Sequence, residues 1–175
     1  MGSPRAGPAS TPLRLERLAA HHPVASFVCG DAAIDEYLRR HALAEQAAGL
    51  SRVTVAVDIV GGTVVGYYTL SPLGIRLDEA LLRAVGLEAV PYPMVGGYLL
   101  GRLGVARDWA GQGIGAALVA VALDGAAQAS VEAGGVFLAV DPKDEGLAVW
   151  YARLGFARLD PKRRRMVRRL GRSGT

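Results

Sequence analysis

Three glycines at alternating positions have the spacing in this chain that most directly predicts chemistry. They lie in the segment Gly111-Gln-Gly-Ile-Gly115, after an apolar run and before apolar residues that recur at helical spacing. Glycine lets the backbone approach a ligand closely, and the first amides of a helix are unpaired donors at the positive end of the helix dipole. The segment therefore predicts a site at which backbone N–H groups bind a pyrophosphate.

The elements on either side of this glycine loop must position it. Leu99 to Val105 has the length and composition of a strand, and the helix that opens at Gly113 is predicted to run to about Ala133. Val136 to Val140 is a continuous apolar run, which is typical of a fully buried strand. The loop is thus expected to join a strand to a long helix that leads into a second buried strand.

The other elements are predicted from periodicity, capping residues and turn residues. They are a strand from Leu13, a helix capped by Asp31 that ends at Gly49, a hairpin of strands 52–59 and 63–70, helical content over 77–87, a helix over 145–154, and strands over 156–159 and 166–170.

Length and composition predict one globular domain. The chain has 175 residues, of which 51% are hydrophobic, and no apolar run comes close to the roughly 20 residues that span a bilayer. We expect a disordered lead-in over 1–12, a single domain over 13–170 and a disordered tail over 171–175. The lead-in lacks the apolar core of a signal peptide, and a single cysteine, Cys29, suits a reducing cytoplasm.

The net charge of +4 is distributed unevenly. Seven of the 20 basic residues and none of the acidic ones follow Asp160. Such a cluster could contact phosphates, or it could be a solvated surface, and the pattern alone does not separate the two. No pair of histidines has metal-site spacing around acidic residues or Cys29, so we predict no metal site.

Three phosphate-binding motifs compete for the glycine loop. A P-loop requires Gly-Lys followed by Ser or Thr, whereas Gly115 is followed by two alanines. The dinucleotide fingerprint matches residues 111–116, but its glycines should follow the first strand almost directly, with further parallel units after them. Here residues 107–110 intervene, several strands come before, and only about 60 residues remain. Both motifs are therefore disfavoured.

The segment Ala110-Gly-Gln-Gly113-Ile-Gly115 resembles the acetyl-CoA motif of the GNAT N-acetyltransferases, in which Q/R-x-x-G-x-G/A opens a long helix. The chain departs from this motif at its first position, where Ala110 replaces Gln or Arg. A second segment, Ala148-Val-Trp-Tyr151-Ala-Arg-Leu-Gly155-Phe156, is similar to the helix and turn that carry a tyrosine near the cofactor sulfur in that family. The order of the two motifs makes the resemblance more specific than either alone.

Further segments resemble the GNAT-fold toxins of bacterial toxin–antitoxin pairs, which acetylate the α-amine of aminoacyl-tRNA. They are Phe27-Val-Cys-Gly30, Tyr37-Leu38, Gly66-Tyr67-Tyr68, Leu100-Gly-Arg-Leu103 and Lys143-Asp144. The resemblance covers residues 13–170. It implies an α/β (α+β) GNAT fold, with a central mixed and mostly antiparallel twisted sheet of six to seven strands and helices on both faces.

The resemblance also implies acetyl-CoA as cosubstrate and assigns the residues that bind it. Tyr151 is the candidate acid that protonates the leaving thiolate, and no residue is assigned as base, with Asp144, Glu145 and a water chain left open. The predicted cofactor contacts are the strand edge Leu103, Gly104 and Val105 for the pantetheine arm, and the loop residues Gly111, Gln112, Gly113, Ile114, Gly115 and Ala116 for the pyrophosphate.

The implied substrate is aminoacyl-tRNA, whose acetylation stops its use in translation. Basic residues that could contact its phosphates are Arg102, Lys143, Arg163, Arg164 and Arg165. The expected partners are a cognate antitoxin of ribbon-helix-helix type and a second copy of the chain. Two alternatives stay open: a GNAT enzyme that acetylates a small amine or a protein N-terminus, and a GNAT-like binding module without catalysis.

Overall fold

The computed structural model describes residues 12–84, 86–87 and 93–171. The strands of this part are β1 Leu13–Arg17, β2 Arg52–Asp58, β3 Val64–Arg76, β4 Met94–Val105, β5 Phe137–Val140, β6 Ala157–Arg158 and β7 Met166–Arg169. Its helices are α1 Ala32–Arg40, α2 Ala42–Ala47, α3 Glu79–Ala84, α4 Ile114–Ala133 and α5 Glu145–Arg153. Of the predicted lead-in over 1–12 and the predicted tail over 171–175, residues 1–11 and 172–175 lie outside the described residues.

The strands form one sheet in the order β1-β2-β3-β4-β5-β7-β6. Every neighbouring pair is antiparallel except β4 and β5, which are parallel. A parallel pair needs a long crossover, and α4 supplies it between these two strands. The predicted α/β fold with a mixed, mostly antiparallel sheet is confirmed.

Side chains alternate between the two faces of the sheet along each strand, and helices cover both faces. Tyr67 packs with Phe27 and Leu38 beneath α1 and α2, whereas its neighbour Tyr68 packs with Leu118 of α4. Helices on opposite faces therefore bury two different apolar clusters, and β4 runs between them.

The helix α4 has 20 residues and is long and apolar enough to span a membrane by length and composition alone. The expectation that no apolar run reaches such a length is therefore wrong. In the structure the helix covers the sheet instead, with Ile114, Leu118, Val119 and Ala122 buried against it. The helix is only weakly amphipathic, because alanine occupies much of its exposed side.

Three elements differ clearly from their predicted bounds, one of which is β3, predicted to end at residue 70 but continuing to Arg76. The single helix expected between Asp31 and Gly49 is broken at His41, whose φ of −116° ends α1 and begins α2. The strand expected from Leu99 begins at Met94 and pairs with the whole second half of β3. Glycine is generally unfavourable in a strand. At Gly97, however, a Cβ would lie 2.4 Å from the Phe137 ring, so the close packing of β5 against β4 requires glycine there.

Candidate active site

A gap opens in the sheet where β4 and β5 part. The two strands pair only from Tyr98 to Leu100, and β5 ends at Val140 while β4 continues to Val105. Within the described residues, no strand pairs with the β5 side of β4 beyond Leu100. The N–H and C=O groups on that side of Leu103, Gly104 and Val105 are thus open to an extended ligand, which suits a pantetheine arm.

A β-bulge lies at the start of this gap. Between the pairs Tyr68–Leu103 and Leu70–Leu100, Thr69 of β3 faces two residues of β4, Gly101 and Arg102. The buried Thr69 hydroxyl accepts a hydrogen bond of 3.0 Å from the Arg102 backbone N–H. The bulge thus re-aims β4, and a side chain satisfies the amide that leaves the ladder.

Replacement of Thr69 by valine is expected to destabilise this bulge. The variant keeps the shape of the side chain but leaves the Arg102 N–H without its acceptor, which costs about 1–3 kcal/mol. Urea denaturation would measure the loss. Thr69→Ser keeps the acceptor and is the control; a Thr69→Val protein as stable as wild type would show that the hydroxyl does not hold the bulge.

A pocket of about 320 Å³ lies in the gap and collects residues that are distant in the chain. It is lined by Cys29, Asp31, Ile34, Leu100, Gly101, Arg102, Leu103, Gly104, Val105, Asp141, Pro142, Lys143, Leu147 and Tyr151. The predicted strand edge, the predicted acid and two of the predicted substrate contacts therefore share one cavity. Cys29, Asp31 and Asp141 have no local sequence signal for this position.

Tyr151 is buried on α5, and its ring packs edge-on against Trp150 and Phe156 at centroid distances of 4.8 and 5.4 Å. Its hydroxyl has no hydrogen-bond partner among the described residues. Burial raises the pKa of Tyr151 to about 12, so the hydroxyl stays protonated throughout the neutral range. A fixed ring with a free, protonated hydroxyl fits a proton donor to a leaving thiolate.

The glycine loop follows directly after β4. A short 3-10 turn, Arg107–Trp109, leads to Gly111 and Gly113, whose φ angles are +76° and +80°. A Cβ at either glycine would meet nothing within 4 Å, so the positive φ rather than space requires glycine there. Gly113 caps α4 without a side-chain acceptor, which leaves the first-turn amides available for an anion.

The C-terminal basic run folds back onto the loop that follows β5. Arg165 donates two hydrogen bonds, of 2.8 and 2.6 Å, to the Asp141 carboxylate, and Arg164 donates to the Lys143 carbonyl. Lys143 in turn bonds Asp31 at 2.7 Å. Arg163 stays 82% exposed beside Asp160. Part of the charge that sequence predicts for substrate contact is therefore used to hold this loop.

The chain matches the model of the Acetyltransferase (GNAT) family over residues 21–156. It is a member of the GNAT acetyltransferase family. A tRNA-acetylating toxin of Mycobacterium tuberculosis (strain ATCC 25618 / H37Rv) is 34% identical over 114 residues, which cover 65% of this chain and 66% of that protein. The match thus spans just under two thirds of that relative's length.

Two solved structures resemble this GNAT domain along most of its length. AtaT complexed with acetyl-methionyl-tRNAfMet has a TM-score of 0.80 at 28% identity, covering 90% of this chain and 95% of that one. A mutant AtaT toxin bound to the C-terminus of the antitoxin AtaR and acetyl-CoA has a TM-score of 0.75 at 26% identity, covering 90% and 93%.

The departure of this GNAT domain at Ala110 removes a side chain but leaves the loop backbone intact. Ala110 is exposed, and its N–H donates to the Arg107 carbonyl at 3.1 Å, which closes the 3-10 turn before the glycines. The loop conformation therefore depends on backbone contacts and glycine φ angles. The amides remain a fitting cradle for a pyrophosphate without the family's first-position side chain.

The two acids left open as general bases lie outside the pocket. Asp144 caps α5 by accepting a 2.8 Å hydrogen bond from the Leu147 amide, and Glu145 forms an ion pair with Arg158. The acids that do line the pocket, Asp31 and Asp141, are each bonded to a cation. Lys143 donates a hydrogen bond to Asp31 and so holds the pKa of that carboxyl below its usual value.

One histidine pair lies beside an acidic residue in the structure, although the spacing in the sequence does not indicate it. The turn after β1 brings His21, His22 and Glu16 together, with potential ligand atoms within 4.8 Å of one another. The Ala19 amide donates to His22 Nδ1 at 2.9 Å, so the neutral ring carries its proton on Nε2, which lies 3.2 Å from Glu16. The geometry is that of a histidine whose two ring nitrogens already have partners.

Proposed function

We propose that this protein transfers the acetyl group of acetyl-CoA to the α-amine of aminoacyl-tRNA and blocks translation as the toxin of a toxin–antitoxin pair. The relatives that support this are a tRNA-acetylating toxin and a toxin fold solved with an acetylated aminoacyl-tRNA. The thioester of acetyl-CoA supplies the activated acetyl group. The residues of this chain bind, orient and protonate around it.

The observation that carries the proposal is that none of the described residues lining the pocket is available as a base. Asp31 is bonded to Lys143, Asp141 is bonded to Arg165, and burial raises the pKa of Cys29 to about 11. A substantial fraction of the acceptor amine must therefore already be neutral in solution when it binds. At pH 7.5 roughly a third of an ordinary α-amine is neutral, against about 0.1% of a lysine side chain. The pocket thus favours an α-amine over a lysine.

Each assigned group has one task in this mechanism. The amides of residues 112–116 hold the pyrophosphate, and the open edge of residues 103–105 aligns the pantetheine arm so that the thioester lies beside Tyr151. The Tyr151 hydroxyl donates a proton as the C–S bond breaks and the thiolate leaves, and it then regains a proton from solvent. The amine forms the new C–N bond and loses its proton to solvent. We assign no metal a role.

Phosphate contacts to tRNA are assigned to basic residues around the pocket. Arg102 and Lys143 line it, and Arg163 projects from a neighbouring surface cleft that shares Asp141 and Pro142 with the pocket. Arg164 and Arg165 line the same cleft, where they also hold the Lys143 loop. Binding of this kind is independent of base sequence and weakens steeply with salt.

The assembly and setting of the protein are part of the proposal. A structure of a related toxin contains the C-terminus of its antitoxin, which supports an antitoxin partner for this chain. We propose that the antitoxin is of ribbon-helix-helix type, that the chain forms a homodimer, and that it acts in the cytoplasm without a membrane. Residues 13–170 would form the functional domain.

The decisive experiment incubates purified protein with labelled acetyl-CoA and total charged tRNA. We expect label in the N-acetyl-aminoacyl fraction and none in uncharged tRNA, because the ester-linked α-amine is the nucleophile. If no aminoacyl type is modified, aminoacyl-tRNA is not the substrate. Growth arrest on induction separates a toxin from an enzyme of small-amine metabolism, and binding of acetyl-CoA without turnover on any amine would instead identify a binding module.

A further inference from the structure

The guanidinium of Arg102, a residue that lines the pocket, lies over the ring of a neighbouring tyrosine. Its central carbon is 3.7 Å from the centroid of the Tyr37 ring, and the residue is partly buried. No carboxylate of the described part of the chain comes within 4 Å of the Arg102 guanidinium. A partly buried cation is costly unless an anion meets it, so this one is prepared for an anion that a ligand brings.

The other cations beside the pocket differ from Arg102 in this respect. Lys143 is bonded to Asp31 at 2.7 Å, and Arg165 makes a two-point contact with Asp141. Each of these charges is matched by a carboxylate. The contrast makes Arg102 the pocket cation whose charge is left for the ligand.

The aromatic platform under Arg102 is rigid. The buried Tyr37 donates its hydroxyl hydrogen to Glu45 at 2.8 Å and stacks nearly parallel on Tyr67, whose hydroxyl donates to the Ile34 carbonyl at 2.8 Å. A carboxylate at the hydroxyl end makes the Tyr37 ring more electron-rich, which strengthens the attraction to a cation above it. Thr69 anchors the Arg102 backbone in the bulge, so both ends of the side chain are held.

A guanidinium stacked on one face still presents its N–H fork at the edges. That fork matches two oxygens of a phosphate, and the charged contact is stronger than one between neutral groups. The pyrophosphate of acetyl-CoA belongs to the amides after Gly111, beyond the far end of the open β4 edge. Arg102 lies at the other end of that edge, at the bulge, and lines the same pocket as Tyr151, the proposed proton donor to the thiolate.

We propose that Arg102 binds the phosphate that joins the last two nucleotides of the aminoacylated RNA. In such a substrate only the amino-acid carbons, the ester and one ribose separate the reacting amine from that phosphate. The inference rests on the proposed function, and it names the part of the RNA that this pocket recognises. Arg102 is then a specificity-determining residue that sets the distance from the phosphate to the amine.

The test is a double-mutant-type cycle that combines one change in the enzyme, at Arg102, with one change in the substrate, at the last phosphate of a chemically aminoacylated acceptor-stem RNA. The RNA carries either a normal phosphate or an uncharged methylphosphonate at its last linkage, and each is acetylated by wild type and by Arg102→Gln. We expect wild type to lose about 10- to 100-fold in kcat/KM on the methylphosphonate, and Arg102→Gln to lose the same amount on the normal RNA. Arg102→Gln acting on the methylphosphonate RNA should lose no more kcat/KM than either single change does.

Control measurements separate the contact between Arg102 and the last phosphate from other effects of the changes. A methylphosphonate two linkages upstream is the matched control and should be neutral for the Arg102 effect. The Tyr37→Leu variant keeps the guanidinium but removes its platform, and should lose part of the preference for the normal phosphate; unfolding temperatures of both variants check the fold. Additive losses, or a raised KM for acetyl-CoA in Arg102→Gln, would overturn the proposal. No acetylation of any charged RNA by wild type would instead reject the proposed function.

Discussion

Replacement of Tyr151 by phenylalanine is expected to lower kcat for acetyl transfer about 100-fold, while acetyl-CoA affinity and stability stay close to wild type. The change removes one oxygen and keeps the ring between Trp150 and Phe156. That hydroxyl bonds no described residue, so its removal leaves no protein partner unsatisfied. The leaving thiolate alone loses its proton donor.

Single-turnover kinetics with a saturating acetyl-CoA concentration would measure this loss directly. Tyr68→Phe is the matched control, since Tyr68 is equally buried but lines a different cleft beside α4, and its activity should be unchanged. The pH profile adds a second readout. Because the pKa of Tyr151 is raised to about 12, the wild-type rate should not fall between pH 7 and 9 through loss of this proton. Full activity of Tyr151→Phe would remove Tyr151 from the mechanism.

Replacement of Gly113 by aspartate is expected to weaken acetyl-CoA binding about 100-fold. The new carboxylate would stand at the N-terminus of α4, where its charge repels the pyrophosphate. The side chain has room, since a Cβ there meets nothing within 4 Å. The positive φ costs about 1–2 kcal/mol, and because an alanine at this position carries the same cost, stability should fall equally in both variants.

Titration calorimetry would measure the dissociation constant, and Gly113→Ala is the control that carries the same backbone strain without the charge. We expect the alanine variant to bind several-fold more weakly at most. Raised salt should recover part of the loss in the aspartate variant, because repulsion between charges is screened. If both variants bound acetyl-CoA alike, the strain of the loop rather than its amides would control affinity.

The sequence predicted those parts of the site whose conformation depends on residues close together in the chain. The glycine loop is one: the helical period begins at Ile114, and the glycines before it adopt the positive φ angles that their type allows. Asp31 as a cap is another, since its carboxylate accepts from the amides of Ala33 and Ile34. Such signals depend on residues only a few positions apart.

The role of Tyr151 came from resemblance to a family, and its motif alone does not explain why the hydroxyl is free. That property follows from the pocket, which α5, β4 and the loop after β5 build together. The interruption of α1 at His41 and the early start of β4 at Met94 also escaped prediction. In both cases packing against distant elements outweighed local preference.

By itself, the sequence predicted the order of the elements and the position of the glycine loop, because periodicity, capping and glycine conformation act over a few residues, whereas the fold class came from the resemblance to a family. Only the tertiary structure decided which charges are available. Lys143 meets Asp31 across 112 positions of the chain, Arg165 meets Asp141, and Arg102 lies over Tyr37 with no carboxylate of a described residue within 4 Å. Ion pairs and stacking depend on distances of a few ångströms between residues far apart in sequence, and those distances exist only once the sheet has formed.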